Sequence, residues 1–298
     1  MMRKGAIILL PILVGLGLWL IFNSGWLANP IVYLRADVGL LLLIVGVLVS
    51  IGIAIGQRIQ ARTQRQAQHW AAEAAEDRRR FLRRLDHELK NPLTAIRAGL
   101  ANVAGAVTPA AQRDALRSVD AQALRISRLT ADLRKLAELE TRALELTQVD
   151  VAELLQQVVN LAQERPEAAE RHLTLTLPRA PWPLPPISAD RDLLLLAVHN
   201  LVDNAIKFSQ PDDTLEVRAF EDGARVVIEV ADTGPGIPGD ETPHVWEELY
   251  RGAAARGVPG SGLGLALVRA IIERHHGQID LRSRVDQGTV VTIRLPVG

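Results

Sequence analysis

D-R-D-L-L-L-L-A-V-H-N-L-V-D-N-A-I-K-F, Asp190 to Phe208, reads as one helix set among β-rich segments. Before it stand L-T-L-T-L, Leu173 to Leu177, which alternates like a strand, and a proline-rich loop, Pro178 to Pro186. After it, Leu215 to Phe220, Arg225 to Val230, Gln278 to Ser283 and Thr289 to Leu295 have strand character. A second helix is expected over Gly264 to His275. Strands with helices on one face predict an α/β sandwich, and this domain is expected to fill residues 150–298.

Chemistry-bearing residues recur across that domain. Asn200 and Asn204 are spaced i, i+4, so both amides leave one helix face, although asparagine is a poor mid-helix residue. Two amide oxygens suit a hard cation such as Mg²⁺, and Lys207, three residues on, can meet a phosphate as a point charge. The bland reading of the same residues is polar capping or solvation of one face. D-T-G-P-G-I begins at Asp232 directly after a strand. A strand-end carboxylate can accept a hydrogen bond from an exocyclic amine such as that of adenine, and the glycines Gly234 and Gly236 admit a ligand close to the backbone. G-S-G-L-G-L begins at Gly260 and precedes a helix, a place where backbone amides hold anions. It is neither a Walker A loop nor the opening turn of a Rossmann unit. The long polar stretch between them, Pro238 to Pro259, is expected to be a mobile lid.

Upstream, the period changes. Leu82, Leu85, Leu89, Leu93, Ile96, Leu100 and Val103 recur at steps of three and four, one face of a helix. Thr108-Pro109 signals a turn and a new helix start, and Leu116, Val119, Ala123, Ile126, Leu129, Leu133, Leu136 and Leu139 mark a second amphipathic helix. A two-helix hairpin is too thin to bury both stripes, so a homodimer forming a four-helix bundle is expected over residues 81–145. H-E-L-K-N-P-L, His87 to Leu93, lies on the first helix with His87 turned away from the apolar seam. An exposed imidazole is largely neutral at pH 7 and can act as a phosphoryl nucleophile. Glu88 could accept or orient the ring N–H, Asn91 lies one turn on, and Pro92 should kink the helix. Alone, such a histidine is more often an ordinary surface residue.

The N-terminal quarter is different in composition. Ala6 to Leu27 and Val38 to Gly56 are uncharged apolar runs, each long enough at about 1.5 Å per residue to cross a hydrocarbon core of roughly 30 Å. The first run is long for a signal peptide and no A-x-A-type site follows it. Arg3 and Lys4 before the first run, with Arg58, Arg62 and Arg65 after the second, place both termini in the cytoplasm. Residues 1–56 are thus expected to be a two-span membrane hairpin with about ten residues, Ala28 to Asp37, outside, followed by a linker helix over 57–80. Lysine plus arginine equals aspartate plus glutamate, 34 of each pair, so charge offers nothing to nucleic acid. The absence of cysteine excludes disulfides, thiolate metal sites and thiol nucleophiles.

H-E-L-K-N-P-L, N-L-V-D-N-A-I-K-F, D-T-G-P-G-I and G-S-G-L-G-L resemble, in this order, the H, N, G1 and G2 boxes of bacterial two-component sensor histidine kinases. The resemblance runs from about Asp77 to the C-terminus. It implies a dimerisation and histidine-phosphotransfer hairpin followed by a Bergerat-type ATP-binding domain, in a protein of the bacterial cytoplasmic membrane. By motif, His87 would be the phosphoacceptor, Glu88 its acid–base partner and Asn91 a phosphatase-assisting residue. Asn204, with Asn200, would serve Mg²⁺; Lys207 and Phe208 would line the ATP site; Asp232 would read adenine. Gly234, Gly236, Gly260, Gly262, Leu263 and Gly264 would shape the pocket and lid. V-W-E-E-L-Y-R, Val245 to Arg251, occupies the F-box position without its usual double phenylalanine; Trp246 and Leu249 would pack the lid, Glu248 is unusual, and Arg251 would meet the γ-phosphate. The implied partner is a separate response regulator, with a membrane lipid or membrane protein as signal source, because a ten-residue loop cannot enclose a ligand. An ATPase of the topoisomerase or chaperone type shares the nucleotide motifs but leaves His87 unexplained, and a non-catalytic scaffold leaves the intact nucleotide boxes unexplained.

Overall fold

The computed structural model describes residues 38–105, 108–178, 183–255 and 257–297. The chain divides into two compact units, Met1–Glu73 and Ala74–Gly298. In the first unit the described residues are helical, the start of a long helix α1 (Val38–Gly105), with Ile53, Ile55, Ile59 and Trp70 exposed. Among the described residues no helix is long and apolar enough to cross a membrane. The expected first span, and most side chains of the expected second, lie outside those residues.

The second unit opens with the helical hairpin. α1 runs on through Pro92 to Gly105, and α2 spans Pro109–Thr141. Thr108 caps α2 as its sequence predicts: its hydroxyl accepts from the Ala111 amide at 3.2 Å, and Pro109 occupies the first turn, where no amide donor is needed. Such a cap contributes about 1 kcal/mol.

The rest of the unit is the α/β sandwich. Its elements are β1 (Thr147–Val149), α3 (Val151–Gln163), β2 (His172–Thr176), β3 (Ile187–Ala189), α4 (Arg191–Phe208), β4 (Thr214–Asp222), β5 (Arg225–Asp232), α5 (Gly264–Arg274), β6 (Gln278–Arg284) and β7 (Gly288–Pro296). The main sheet has the order β2-β4-β5-β7-β6; β2 runs parallel to β4 and the other pairs are antiparallel, while β1 and β3 form a separate pair. Leu154, Leu155 and Val158 of α3, Leu194 and Val198 of α4, and Ile271 and Ile272 of α5 are fully buried with Val217, Ile228 and Ile293 of the sheet. Each such side chain contributes about 1.5–3 kcal/mol of hydrophobic stabilisation. Across the strands the alternation leaves polar ladders such as Arg218–Glu229–Thr292.

The start of α4, which positions the site, is over-determined. Asp190 caps the Leu193 amide with one carboxylate oxygen and the Glu145 amide with the other. Its own N–H donates to His275 Nε2 at 2.9 Å, so the His275 proton sits on Nδ1 and donates to the Ile271 carbonyl at 2.8 Å. His275 is therefore a satisfied core histidine joining α4 to α5. Arg274 donates to the Leu139 and Arg142 carbonyls, tying the end of α5 to the end of the hairpin.

Candidate functional site

α4 and α5 lie side by side, and their contact brings the predicted cation ligands to the glycine-rich loop. Asn200 Nδ2 donates to the Leu196 carbonyl at 2.8 Å, which turns Oδ1 outward. A Cβ placed on Gly264, the first residue of α5, would lie 3.3 Å from Asn200 Oδ1 and 3.7 Å from Asn204 Nδ2. The two amides and the N-terminus of α5 thus share one small cradle that a side chain would fill. Oxygen donors beside a helix N-terminus suit a Mg²⁺–phosphate pair: the amide oxygens for the ion, the free backbone N–H groups for the phosphate.

Asp232 ends β5. One carboxylate oxygen accepts from the Gly234 amide at 2.9 Å. Burial pushes its carboxyl above the usual aspartate range, only partly offset by the backbone amides of Gly234 and Thr289. Gly234 also lies against the Phe208 carbonyl, so the end of α4 meets the turn after β5. Gly236 takes a positive φ of 69° against the Arg284 carbonyl.

Lys207 is not free. Its ammonium donates to Asp203, which also accepts from Arg165. Burial raises the Asp203 carboxyl, but the hydrogen bonds from Lys207 and Arg165 outweigh it and hold the group below the usual range. His199 is lowered by burial and then by Arg165, and stays neutral at pH 7. Asp203 and Arg165 escaped the sequence reading, although Asp203 stands i−4 from Lys207, the spacing of a helical ion pair.

Within the lid, the Arg251 guanidinium donates to the Ala255 and Val258 carbonyls and so braces the lid's own backbone. Trp246 packs on the main core, while Leu249 and Leu263 are buried with Leu129 of α2 and packed by Phe81, Leu85 and Leu89 of α1. Gly262 has a positive φ of 74° beside Tyr250. The lid therefore docks on the hairpin. Arg84 Nη2 donates to Glu247 Oε2 at 2.6 Å, and Ser261 Oγ donates to Asp132 at 2.7 Å.

His87 is exposed on α1, as its offset from the seam predicts. Its Nδ1 lies 3.0 Å from Asn91 Nδ2. In that orientation the amide donates and the ring proton sits on Nε2; a half-turn of the amide presents Oδ1, fixes the proton on Nδ1 and frees the Nε2 lone pair. Glu88 is held elsewhere than on the ring: Arg125 of α2 donates to its carboxylate at 2.7 Å.

A cavity of about 960 Å³ joins these parts. Asn200, Asn204, Lys207, Phe208, Asp232, Gly236, Arg251, Gly260, Gly262 and Gly264 line it, together with Glu88, Arg125 and Asp132 of the hairpin. His87, Asn91, Gly234 and Leu263 do not; Leu263 instead precedes α5 as its cap, buried against the hairpin.

A histidine-bearing hairpin joined to a nucleotide-type sandwich defines a class of phosphoryl-transfer proteins, and comparison with known proteins makes it specific. The model of the His Kinase A (phospho-acceptor) domain matches residues 77–142, and that of the histidine kinase-, DNA gyrase B- and HSP90-like ATPases matches residues 189–298. The chain belongs to the two-component sensor histidine kinases. The signal transduction histidine-protein kinase/phosphatase MprB of Mycobacterium sp. (strain KMS) is 34% identical over 224 residues, 72% of this chain and 42% of its own. Among solved structures, full-length ShkA in complex with AMPPNP is similar over 71% of this chain and 44% of its own, at 28% identity and a TM-score of 0.53. Histidine kinase ThkA, solved in complex with the response regulator protein TrrA, shares the fold over 76% of this chain and 65% of its own, at 22% identity and a TM-score of 0.61. The chain spans less than half the length of the first curated relatives it matches.

Proposed function

We propose that the chain autophosphorylates His87 from Mg-ATP and passes the phosphoryl group to an aspartate of a separate response regulator. The observation that carries this reading is the single cavity lined both by Asn204 and Asp232 and by Glu88, the neighbour of His87. Asp232 receives the adenine amine, and the amides at the start of α5 receive phosphate oxygens. Asn200 and Asn204 would hold Mg²⁺, which neutralises phosphate charge when bound. The Nε2 lone pair of His87 attacks the γ-phosphorus in line; the N–P bond forms, the bond to the β-phosphate oxygen breaks, and ADP leaves with that electron pair. Glu88 takes the proton that the phosphorylated imidazole must lose. A regulator carboxylate then displaces the histidine nitrogen.

Leu82, Leu93, Leu100, Leu116 and Leu124 of the hairpin are about half exposed, which supports a second copy completing a four-helix bundle. The family's kinase/phosphatases and the position of Asn91 support phosphatase activity toward the same regulator, with Asn91 placing a water beside phosphorus. The apolar runs before Gly56 support anchorage in the cytoplasmic membrane by two spans with both termini cytoplasmic, and an input from lipid or a membrane protein. The test is phosphotransfer: the chain labelled with radioactive ATP is mixed with a panel of receiver domains. Rapid loss of label to one receiver is expected; a labelled chain that gives phosphate to none, with ATP removed, contradicts the transfer step.

A further inference from the structure

Glu88 follows His87 by one residue, which turns its side chain about 100° around α1, toward α2. There Arg125, 37 positions on, donates from Nη2 to Glu88 Oε2 at 2.7 Å. Glu88 is only 20% exposed and Arg125 38%, and both line the nucleotide cavity. The ring itself is engaged by Asn91, whose amide cannot accept a proton. Attack from Nε2 leaves the phosphorylated ring with its Nδ1 proton in excess; of the two carboxylates that flank the phosphoacceptor, Asp86 is exposed and does not line the cavity, whereas Glu88 does. A glutamate has three side-chain torsions, and nothing in a bare helix holds its carboxylate at the cavity rather than in water. The guanidinium does so, from the opposite helix of the hairpin.

We propose that Arg125 is a positioning residue for phosphoryl transfer: it holds the Glu88 carboxylate between the two helices at the cavity, in place to receive the proton that His87 releases as the N–P bond forms. This rests on the reading of His87 and Glu88 given above. A charged hydrogen bond of this kind is directional, and its loss returns Glu88 to its free rotamers. A positioned acid–base group contributes roughly 10²–10⁴-fold to rate. Losing only its positioning costs less than losing the carboxylate, so Arg125→Ala should lower kcat on the order of tenfold. The KM for ATP should stay close to the parent value, because Arg125 acts through Glu88.

The experiment is a cycle on the full chain: parent, Arg125→Ala, Arg125→Lys, Glu88→Gln and the double variant Arg125→Ala/Glu88→Gln. Initial rates of histidine labelling are measured against ATP concentration, with melting temperature and dimer state recorded for each. The double variant should be no slower than Glu88→Gln alone, and Arg125→Lys, which keeps a cation there, should recover most of the rate. Additive losses in the double variant, a change confined to KM, or an unchanged kcat in Arg125→Ala each overturn the role of Arg125. A parent chain without label on His87 removes the underlying reading instead. If Arg125→Ala does not fold, Arg125→Gln, which removes the charge but keeps a polar side chain, completes the same cycle with and without Glu88→Gln.

Discussion

Arg84, one turn before His87, donates to Glu247 of the lid at 2.6 Å and to the Glu248 carbonyl at 3.2 Å, with its guanidinium 5.5 Å from the Tyr250 ring centroid. The helix that carries His87 and the lid segment are thus clamped together by a charge pair in which each side chain is about 30% exposed. A pair so open to water is worth about 1 kcal/mol or less. Arg84→Ala and Glu247→Gln should each raise amide exchange across residues 238–252, and the reversal Arg84→Glu/Glu247→Arg should restore part of the protection. Burial raises the Glu247 carboxyl, but hydrogen bonds from His244 and Arg84 outweigh it and leave the group below the usual glutamate range. Its contribution is therefore complete above the unfolded value of about 4.3 and disappears as pH falls through the lower folded value. Exchange in Arg84→Ala identical to the parent would show that the pair does not hold the lid.

The adenine contact proposed for Asp232 would set function against stability. The folded pKa of Asp232 is raised by burial, so the stabilisation linked to this group is present below the unfolded value and is lost as pH rises through the folded one. Wherever the carboxylate is ionised, it is therefore a cost to the fold. Asp232→Asn should raise the melting temperature without nucleotide and weaken ATP binding roughly tenfold to a hundredfold, the range for a lost charged hydrogen bond. A variant that melts lower and binds ATP normally would contradict both halves.

Gly288 has a φ of 96°, and a Cβ there would lie 1.8 Å from the Asp232 carbonyl oxygen. Gly288→Ala should therefore displace β7 from β5 beside the Asp232 carboxylate and destabilise the domain by about 3 kcal/mol or more. Gly223, also at positive φ but with nothing within 4 Å, serves as the control, where alanine should cost about 1–2 kcal/mol. Equal melting temperatures for the two variants would refute the close approach.

Asn91 touches the His87 ring and stands one turn from it. Asn91→Ala should change autophosphorylation little, since the ring keeps its exposed nitrogen, but should slow the release of phosphate from the phosphorylated regulator. Equal dephosphorylation rates for variant and parent would contradict this role.

Most elements of the sandwich were readable from their own periodicity. The strand expected over Leu215 to Phe220 runs Thr214–Asp222, and the helix read from Asp190 has that residue as its cap. Local pattern also carried the hairpin turn, because Thr108 and Pro109 act within one helical turn of themselves. The β1–β3 pair was not legible, since three-residue strands show no alternation. Helix α3 lay hidden in the general alternation after Asp150, although Asp150 caps it through the Ala152 and Glu153 amides. The site divides the same way. Asn200, Asn204 and Asp232 announce themselves by spacing on one helix face or by position at a strand end. Arg84–Glu247 and Arg125–Glu88 span 163 and 37 positions, and a single charged residue on a polar helix face carries no sign of its partner. Arg251 adds a contact that its motif position did not suggest: while lining the cavity, its guanidinium holds the lid carbonyls of Ala255 and Val258.

The most direct test is the chemical identity of the phosphorylated residue. The full chain and its His87→Ala variant are incubated with radiolabelled ATP and Mg²⁺, and the label is challenged with acid and with alkali. The parent should carry label that acid removes and alkali spares, while His87→Ala carries none yet still binds ATP. Acid-stable label on the parent, or labelling of His87→Ala at the parent's rate, would contradict phosphoryl transfer to His87.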